Sequence, residues 1–172
     1  MRTESLFLLI LLHGPLGVFA QYENEPDGFR GLTWNSHPPA NFVLIDVRGE
    51  LRQYENPNED LSIGNFKLEE VSYFFHRNWG LVSGFVHLEF RQCLAFYNLV
   101  EMKFGSPTDG STYKHDSYYS QSDWAGSKTN LTFIGGKEEC LLSYRDQEYV
   151  LRSEIEAKKK EAEDLQDALD DL

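Results

Sequence analysis

Two cysteines are the residues of this chain best suited to chemistry. Cys93 stands at the start of a predicted helix, where the helix dipole would lower the pKa of a thiol and favour a nucleophile. Cys140 follows 47 residues later, and in an oxidising compartment the pair would form a structural disulfide instead. The sequence places no histidine beside Cys93 to act as its base. We therefore favour a disulfide, or two buried thiols, over a catalytic thiol.

The histidines lack the spacing of metal ligands. His13, His37, His76, His87 and His115 are scattered, and neither H-x-x-x-H nor C-x-x-C spacing occurs. The Gly-x-Ser-x-Gly segment of many hydrolases and a phosphate-binding loop are also missing from the sequence. The histidines are interpreted as surface or cross-strand residues. We expect no metal site, no cofactor and no enzymatic activity.

Tyrosines in polar surroundings are candidates for a recognition surface. Tyr113, Tyr118 and Tyr119 lie in such a stretch, and tyrosine brings a large contact area at low cost in conformational entropy. The chain has 12 Phe, 9 Tyr and 3 Trp, more aromatic residues than one small core must hold. The alternative interpretation is that these tyrosines are half-buried strand residues.

Composition excludes several classes of protein. The 172 residues include 16 Lys plus Arg against 28 Asp plus Glu, a net charge of −12. A nucleic-acid-binding protein needs a basic surface for the phosphates, and docking on anionic lipid needs one as well. The hydrophobic fraction of 41% is too high for a disordered chain. A single acidic globular domain remains.

The N-terminal segment has the features of a secretory signal. A seven-residue apolar run, 6–12, follows Arg2 and ends at Gly14-Pro15. The run is far shorter than the roughly 20 apolar residues of a membrane span, which disfavours an uncleaved anchor. Small residues before the expected cleavage site, after Ala20, are typical of signal peptidase substrates. We predict export to the periplasm or outside the cell, with no stable membrane anchor after cleavage.

The sequence divides into a signal peptide (1–20), a globular domain (21–146) and a charged C-terminal helix (147–172). Residues 21–27 are interpreted as a loose polar arm. Apolar residues with period two predict a hairpin over 67–90, with Tyr73 opposite Gly84 and His76 opposite Leu81. In that register the Tyr73 ring can lie over the bare backbone of Gly84.

A packed helix is predicted at about 91–104. Its apolar stripe is formed by Cys93, Phe96, Val100 and Phe104, widened by Leu99 and Met102. Predicted strands precede and follow this helix along the chain, and strands and helices do not alternate. This order favours an α+β fold with a single antiparallel sheet. The residues expected to be buried are Phe75, Val86, Phe96, Val100 and Phe133.

The C-terminal helix is predicted to project from the domain. A heptad pattern typical of a coiled coil is formed by Leu151, Ile155, Ala162, Leu165, Leu169 and Leu172, with Lys158 in one slot. This stripe is thinner than that of a buried helix. Its exposed leucines, above all Leu165, Leu169 and Leu172, could bind another envelope protein or a second copy. The alternative is a solvated tail.

Several segments resemble a group of small exported bacterial proteins. The stretch Gly28-Phe29-Arg30-Gly31-Leu32-Thr33-Trp34 is similar to the Gly-Phe-x-Gly-Ile-x-Trp-Gly segment that follows the signal peptide in that group, with Asn35 in place of the last Gly. The likeness continues at 63–68, 71–75, 103–107 and 124–126, and spans most of residues 25–160. No activity is assigned to the group, so the resemblance implies a bacterial envelope protein and no chemistry.

Three hypotheses for the function follow. The first is a non-enzymatic protein-binding or scaffolding module of the cell envelope, acting through its sheet surface or its C-terminal helix. The second is a small-ligand carrier with a pocket between sheet and helix, which would require a cavity of several hundred cubic ångströms. The third is a thiol enzyme that uses Cys93.

Overall fold

The structure is a computed structural model that describes residues 23–110, 119–136 and 140–170. Side chains are described at these positions except 110, 119 and 167–170. The predicted signal peptide, 1–20, lies outside the described residues.

Antiparallel strands make up most of the fold. In chain order they are β1 (Gly28–Phe29), β2 (Leu32–Thr33), β3 (Val43–Arg48), β4 (Leu51–Glu55), β5 (Ser62–Ile63), β6 (Phe66–His76), β7 (Gly80–Leu88), β8 (Asp109–Gly110), β9 (Tyr119–Trp124), β10 (Thr129–Gly136) and β11 (Cys140–Asp146). The helices are α1 (Cys93–Phe104), preceded by a 3-10 turn (Phe90–Gln92), and α2 (Gln147–Asp170). The predicted α+β class is confirmed.

The prediction of a single sheet is wrong. The large sheet has the order β3-β4-β6-β7-β11-β10-β9-β8, with β5 added to β6. Among the described strands, β1 and β2 pair only with each other. Arg30 and Gly31 between them have φ values of 47° and 83°. This left-handed backbone reverses the chain within two residues. The segment 28–33 therefore folds into its own small hairpin and does not join the large sheet.

The β6–β7 hairpin has the predicted register along most of its length. Tyr73 pairs with Gly84 as expected. A shift in register between Phe74 and Phe75 then sets His76 opposite Gly80, so the predicted pairing of His76 with Leu81 is wrong. This shift in register is a β-bulge, in which one strand has one residue more than its partner. The alternation of apolar and polar residues does not predict such a feature.

The core lies between one face of the large sheet and α1. All five residues expected to be buried are buried, namely Phe75, Val86, Phe96, Val100 and Phe133. Helix α1 also buries Tyr97, which contacts Phe133 edge-on at 5.2 Å between ring centroids. Met102, predicted to widen the stripe, is instead 76% exposed. Gly105, with φ of 80°, ends the helix as glycine does at this position.

Candidate functional site

The two cysteines are joined. Cys93, the first residue of α1, and Cys140, the first residue of β11, form a disulfide with a Cα–Cα distance of 5.4 Å. Both side chains are buried. The prediction that they lie within bonding reach is confirmed. Because the Cys93 sulfur is bonded to Cys140, it is not a free nucleophile in this structure.

The two described histidines of the β6–β7 hairpin have structural contacts. His76 stacks on Trp79 with 4.2 Å between ring centroids. His87 places Nδ1 3.3 Å from a carboxylate oxygen of Glu69. Within the described ranges, no group of three or more His, Cys, Asp or Glu side chains is placed to hold a metal ion.

The first turns of α2 are anchored on the β6–β7 turn by an aromatic cluster. Tyr149 lies against Trp79, at 5.6 Å between ring centroids, and against His76 at 6.0 Å. The Arg152 guanidinium lies 5.5 Å above the Trp79 ring, a cation–π contact. These side chains fix the direction in which α2 leaves the domain.

Asp146 caps the same end of α2. Its carboxylate accepts a hydrogen bond from the Glu148 N–H, at 3.3 Å, as an N-cap residue does. Asp146 is nearly buried, and burial raises the pKa of its carboxyl above the usual value, opposed by hydrogen bonds from the Glu148 and Tyr149 N–H groups. The start of the helix is thus held by both packing and capping.

Beyond its base, α2 is exposed. Every side chain described from Glu154 to Gln166 is exposed, including Ile155 at 67% and Leu165 at 63%. The predicted projection of this helix is confirmed for these residues. The side chain of Leu169 and the whole of Leu172 lie outside the described residues. An apolar stripe on an acidic helix thus stands clear of its own domain.

The tyrosine surface stays a prediction. Tyr113 and Tyr118 lie outside the described residues. Tyr119 opens β9, but its side chain is not among those described.

An ion-pair network that the sequence did not reveal ties three segments together. The Glu59 carboxylate accepts hydrogen bonds from Arg30 Nε at 2.6 Å, from the Tyr73 hydroxyl at 2.5 Å and from Asn56 at 3.1 Å. Burial raises the pKa of Tyr73, and the bond to Glu59 raises it further. Arg30 and Glu59 are 29 positions apart in loops, so no local pattern relates them. Arg30 also donates to the Asp60 carbonyl at 2.5 Å, so the network holds the β1–β2 turn against the loop that precedes β5.

The N-terminal segment is held by the β9–β10 turn and the start of β10. The Glu25 carboxylate accepts hydrogen bonds from the backbone N–H groups of Lys128 and Thr129. The Trp34 indole N–H donates to the Thr129 hydroxyl at 2.7 Å. The prediction of a loose arm is therefore wrong for residues 23–27. The carboxylate binds backbone donors far away in sequence, which a local pattern could not show.

The region between α1 and the sheet is filled by side chains. Phe96 contacts Phe66 edge-on at 5.3 Å between centroids and lies 6.5 Å from Phe133. Hollows occur instead on the outside of the molecule. One, of about 120 Å³, is lined by Asp46, Arg48, Leu51, Gln53 and Phe74. A larger one, of about 440 Å³, lies beside the 3-10 turn that precedes α1 and is lined by Leu61, Lys67, Leu68, Glu69, Glu89 and Gln92.

Strand β3 carries exposed apolar residues that were not singled out in the sequence. Val43, Leu44, Ile45 and Val47 are each 47–53% exposed. The position of this strand at the edge of the sheet depends on the order of all the strands. None of the described helices combines the length and the apolar character needed to cross a bilayer.

Comparisons with protein-family models, with curated proteins and with solved structures found no match to this chain.

Proposed function

We propose that this chain is a non-enzymatic, exported protein that binds another protein of the cell envelope through the apolar stripe of α2. The observation that carries the proposal is the exposure of Ile155 and Leu165 on a helix that makes its described contacts with the domain only near its base. Most of the stability of a helix in a protein comes from the packing of its apolar face, and the side chains described from Glu154 to Gln166 are all exposed. A partner that covers the stripe would stabilise it.

The charge of α2 favours a partner with a basic face. From Glu154 onward, acidic residues outnumber lysines along the helix. A second copy laid along this helix would oppose like charges, which is unfavourable in coiled coils and on helix surfaces. We therefore favour a different protein whose amphipathic helix is basic.

Export is supported by several independent features. The 1–20 segment has the pattern of a signal peptide, and a disulfide persists in oxidising compartments. The resemblance of the 28–34 segment to small exported bacterial proteins points to the same location.

The alternatives have less support. A carrier with a pocket between sheet and helix would need space that Phe96 and Phe133 occupy. A thiol enzyme would need Cys93 released from Cys140.

Truncation and a point substitution test the proposal. We expect an immobilised chain to retain a specific envelope protein, while deletion of residues 159–172 or Leu165→Lys abolishes its capture. Met102→Lys is the matched control, since it adds the same charge to another exposed apolar side chain. Capture should weaken as salt rises, because opposite charges are screened. Equal capture by all variants would reject α2 as the binding surface, leaving a solvated tail.

A further inference from the structure

Strand β3 is the outer edge of the large sheet. The strand order ends at β3, which pairs with β4 and with no other strand among the described residues. An edge strand offers backbone N–H and C=O groups to an additional strand. Here the side chains are also apolar on both faces, with Val43, Leu44, Ile45 and Val47 about half exposed. The edge therefore has both the hydrogen-bonding groups and the apolar area to receive another strand.

A bulge changes which side chains of β3 share a face. Leu44 pairs with Tyr54 and Val47 with Arg52, and the register shifts between Leu44 and Asp46. Tyr54 and Arg52 are two residues apart on β4, so they point to the same face. Directly opposed residues of antiparallel strands share a face. Leu44 and Val47 therefore lie on one face although they are three residues apart, and Ile45 is the extra residue.

This arrangement makes β3 complementary to itself. A two-fold axis through the bulge would set Leu44 of one copy opposite Val47 of the other, and both belong to the same face. An antiparallel pairing is possible only when opposed side chains share a face. In a regular strand, residues three apart point to opposite faces and this pairing would fail. A regular strand can pair with its copy only when the opposed residues are an even number apart, and the bulge adds the register that opposes the apolar residues Leu44 and Val47.

Charge also favours a second copy at this edge. Asp46 and Arg48 form an ion pair at 2.7 Å, so β3 carries no net charge although the whole chain carries −12. In the symmetric pairing, Asp46 and the Arg48 of the other copy become diagonal neighbours, within reach of a long side chain. The two Asp46 carboxylates flank the axis, but each is paired with the Arg48 of its own copy, so β3 adds no net charge to the repulsion between two acidic molecules.

We propose that two copies of this chain associate through antiparallel pairing of their β3 strands, which joins their large sheets across a two-fold axis. A closed, symmetric pair is the commonest arrangement of identical chains. The pairing covers apolar side chains that the monomer leaves exposed. It is independent of the partner proposed for α2, which lies on a different element.

Analytical ultracentrifugation tests the proposal directly. We expect the purified protein to show a concentration-dependent monomer–dimer equilibrium. Val47→Lys should raise the dimer dissociation constant by about ten-fold or more, because a charge on an edge strand blocks strand addition. Met102→Lys should leave that constant unchanged. Because both copies are acidic, the dimer should strengthen as salt rises, opposite to the salt dependence expected for a basic partner on α2.

Disulfide trapping provides a positional check. Ile45 lies beside the two-fold axis, so an Ile45→Cys variant should form a covalent dimer under mild oxidation, whereas Met102→Cys should not. A monomer at all concentrations would overturn the proposal, and would mean that the bulge and Asp46 shield the edge. A dimer that survives Val47→Lys but is lost in Leu165→Lys would also overturn it, since the contact would then lie on α2. The first result would leave the proposed partner of α2 untouched, whereas the second would show that the stripe of α2 binds a second copy of this chain.

Discussion

The ring of Phe29 lies directly against the backbone of Gly84. A Cβ atom added at Gly84 would overlap three ring carbons of Phe29. Gly84 pairs with Tyr73 across the hairpin, but the ring that covers it comes from the N-terminal hairpin. Tyr73 contacts Phe29 edge-on at 5.1 Å between ring centroids. The missing side chain of Gly84 is therefore what lets the N-terminal segment enter the core.

Gly84→Ala should destabilise the protein. The added methyl group must displace Phe29 or bend β7, and overpacking of this kind costs about 1–3 kcal/mol. Urea unfolding followed by fluorescence measures the loss. A double-mutant cycle is the control: in a Phe29→Ala background the same change should cost much less. Equal costs in both backgrounds would mean that the two residues do not compete for space.

Removing the disulfide should lower the free energy of unfolding by about 2–4 kcal/mol, since the bond closes a loop of 47 residues. The Cys93→Ala/Cys140→Ala double variant, unfolded in urea, measures this loss. Wild-type protein under reducing conditions should unfold at nearly the same urea concentration as the variant. If reduction leaves the unfolding midpoint unchanged, the bond does not contribute to stability.

The protein should lose stability as pH rises through the range where free tyrosine ionises. Burial raises the pKa of both Tyr73 and Tyr144 in the folded state. The folded chain then holds protons that the unfolded chain releases near pH 10, so unfolding becomes more favourable above about that pH. In the Tyr73→Phe/Tyr144→Phe double variant, the free energy of unfolding should fall less steeply between about pH 9 and 12. An unchanged slope would contradict the assignment to these two residues.

Asp146 should tolerate replacement by asparagine but not by alanine. Asparagine keeps an oxygen for the Glu148 N–H and removes a carboxyl whose pKa burial raises. We expect Asp146→Asn to be at least as stable as wild type at pH 7, and Asp146→Ala to be less stable than Asp146→Asn by about 1 kcal/mol.

The raised pKa of the Asp146 carboxyl also determines how the difference in stability between Asp146→Asn and wild type depends on pH. A carboxyl with a raised pKa costs stability once it ionises, so any advantage of Asp146→Asn over wild type should vanish as pH falls below about 4. Thermal unfolding across this pH range measures the difference. An advantage that grows at low pH would contradict the burial of a charged group.

Local patterns in the sequence predicted the elements that form the core. The alternation of Val71, Tyr73 and Phe75 predicted the buried face of β6, because successive strand residues point to opposite faces. The spacing of Cys93, Phe96 and Val100 likewise predicted the buried stripe of α1. The sequence favoured a disulfide or two buried thiols for Cys93 and Cys140, and the structure shows which of the two is formed.

The interaction surface of α2 was predicted in part. Its thin stripe and charged faces were enough to predict projection, because a helix with few apolar positions cannot be buried on several sides. The aromatic cluster of Trp79, Tyr149 and Arg152 at its base was not predicted. Those residues lie in separate elements, and only the direction in which α2 leaves the sheet brings them together.

The sequence by itself determined the β6–β7 hairpin, the packed helix and the projecting helix, since each depends on residues two to four positions apart. The tertiary structure alone decided that Phe29 covers Gly84, that Glu59 joins Arg30 to Tyr73, and that β3 is an edge. These relationships depend on the order of strands and on loop positions. Many contacts between residues distant in sequence compete for the same space, and this competition decides the packing. The local periodicity of apolar residues contains no information about it.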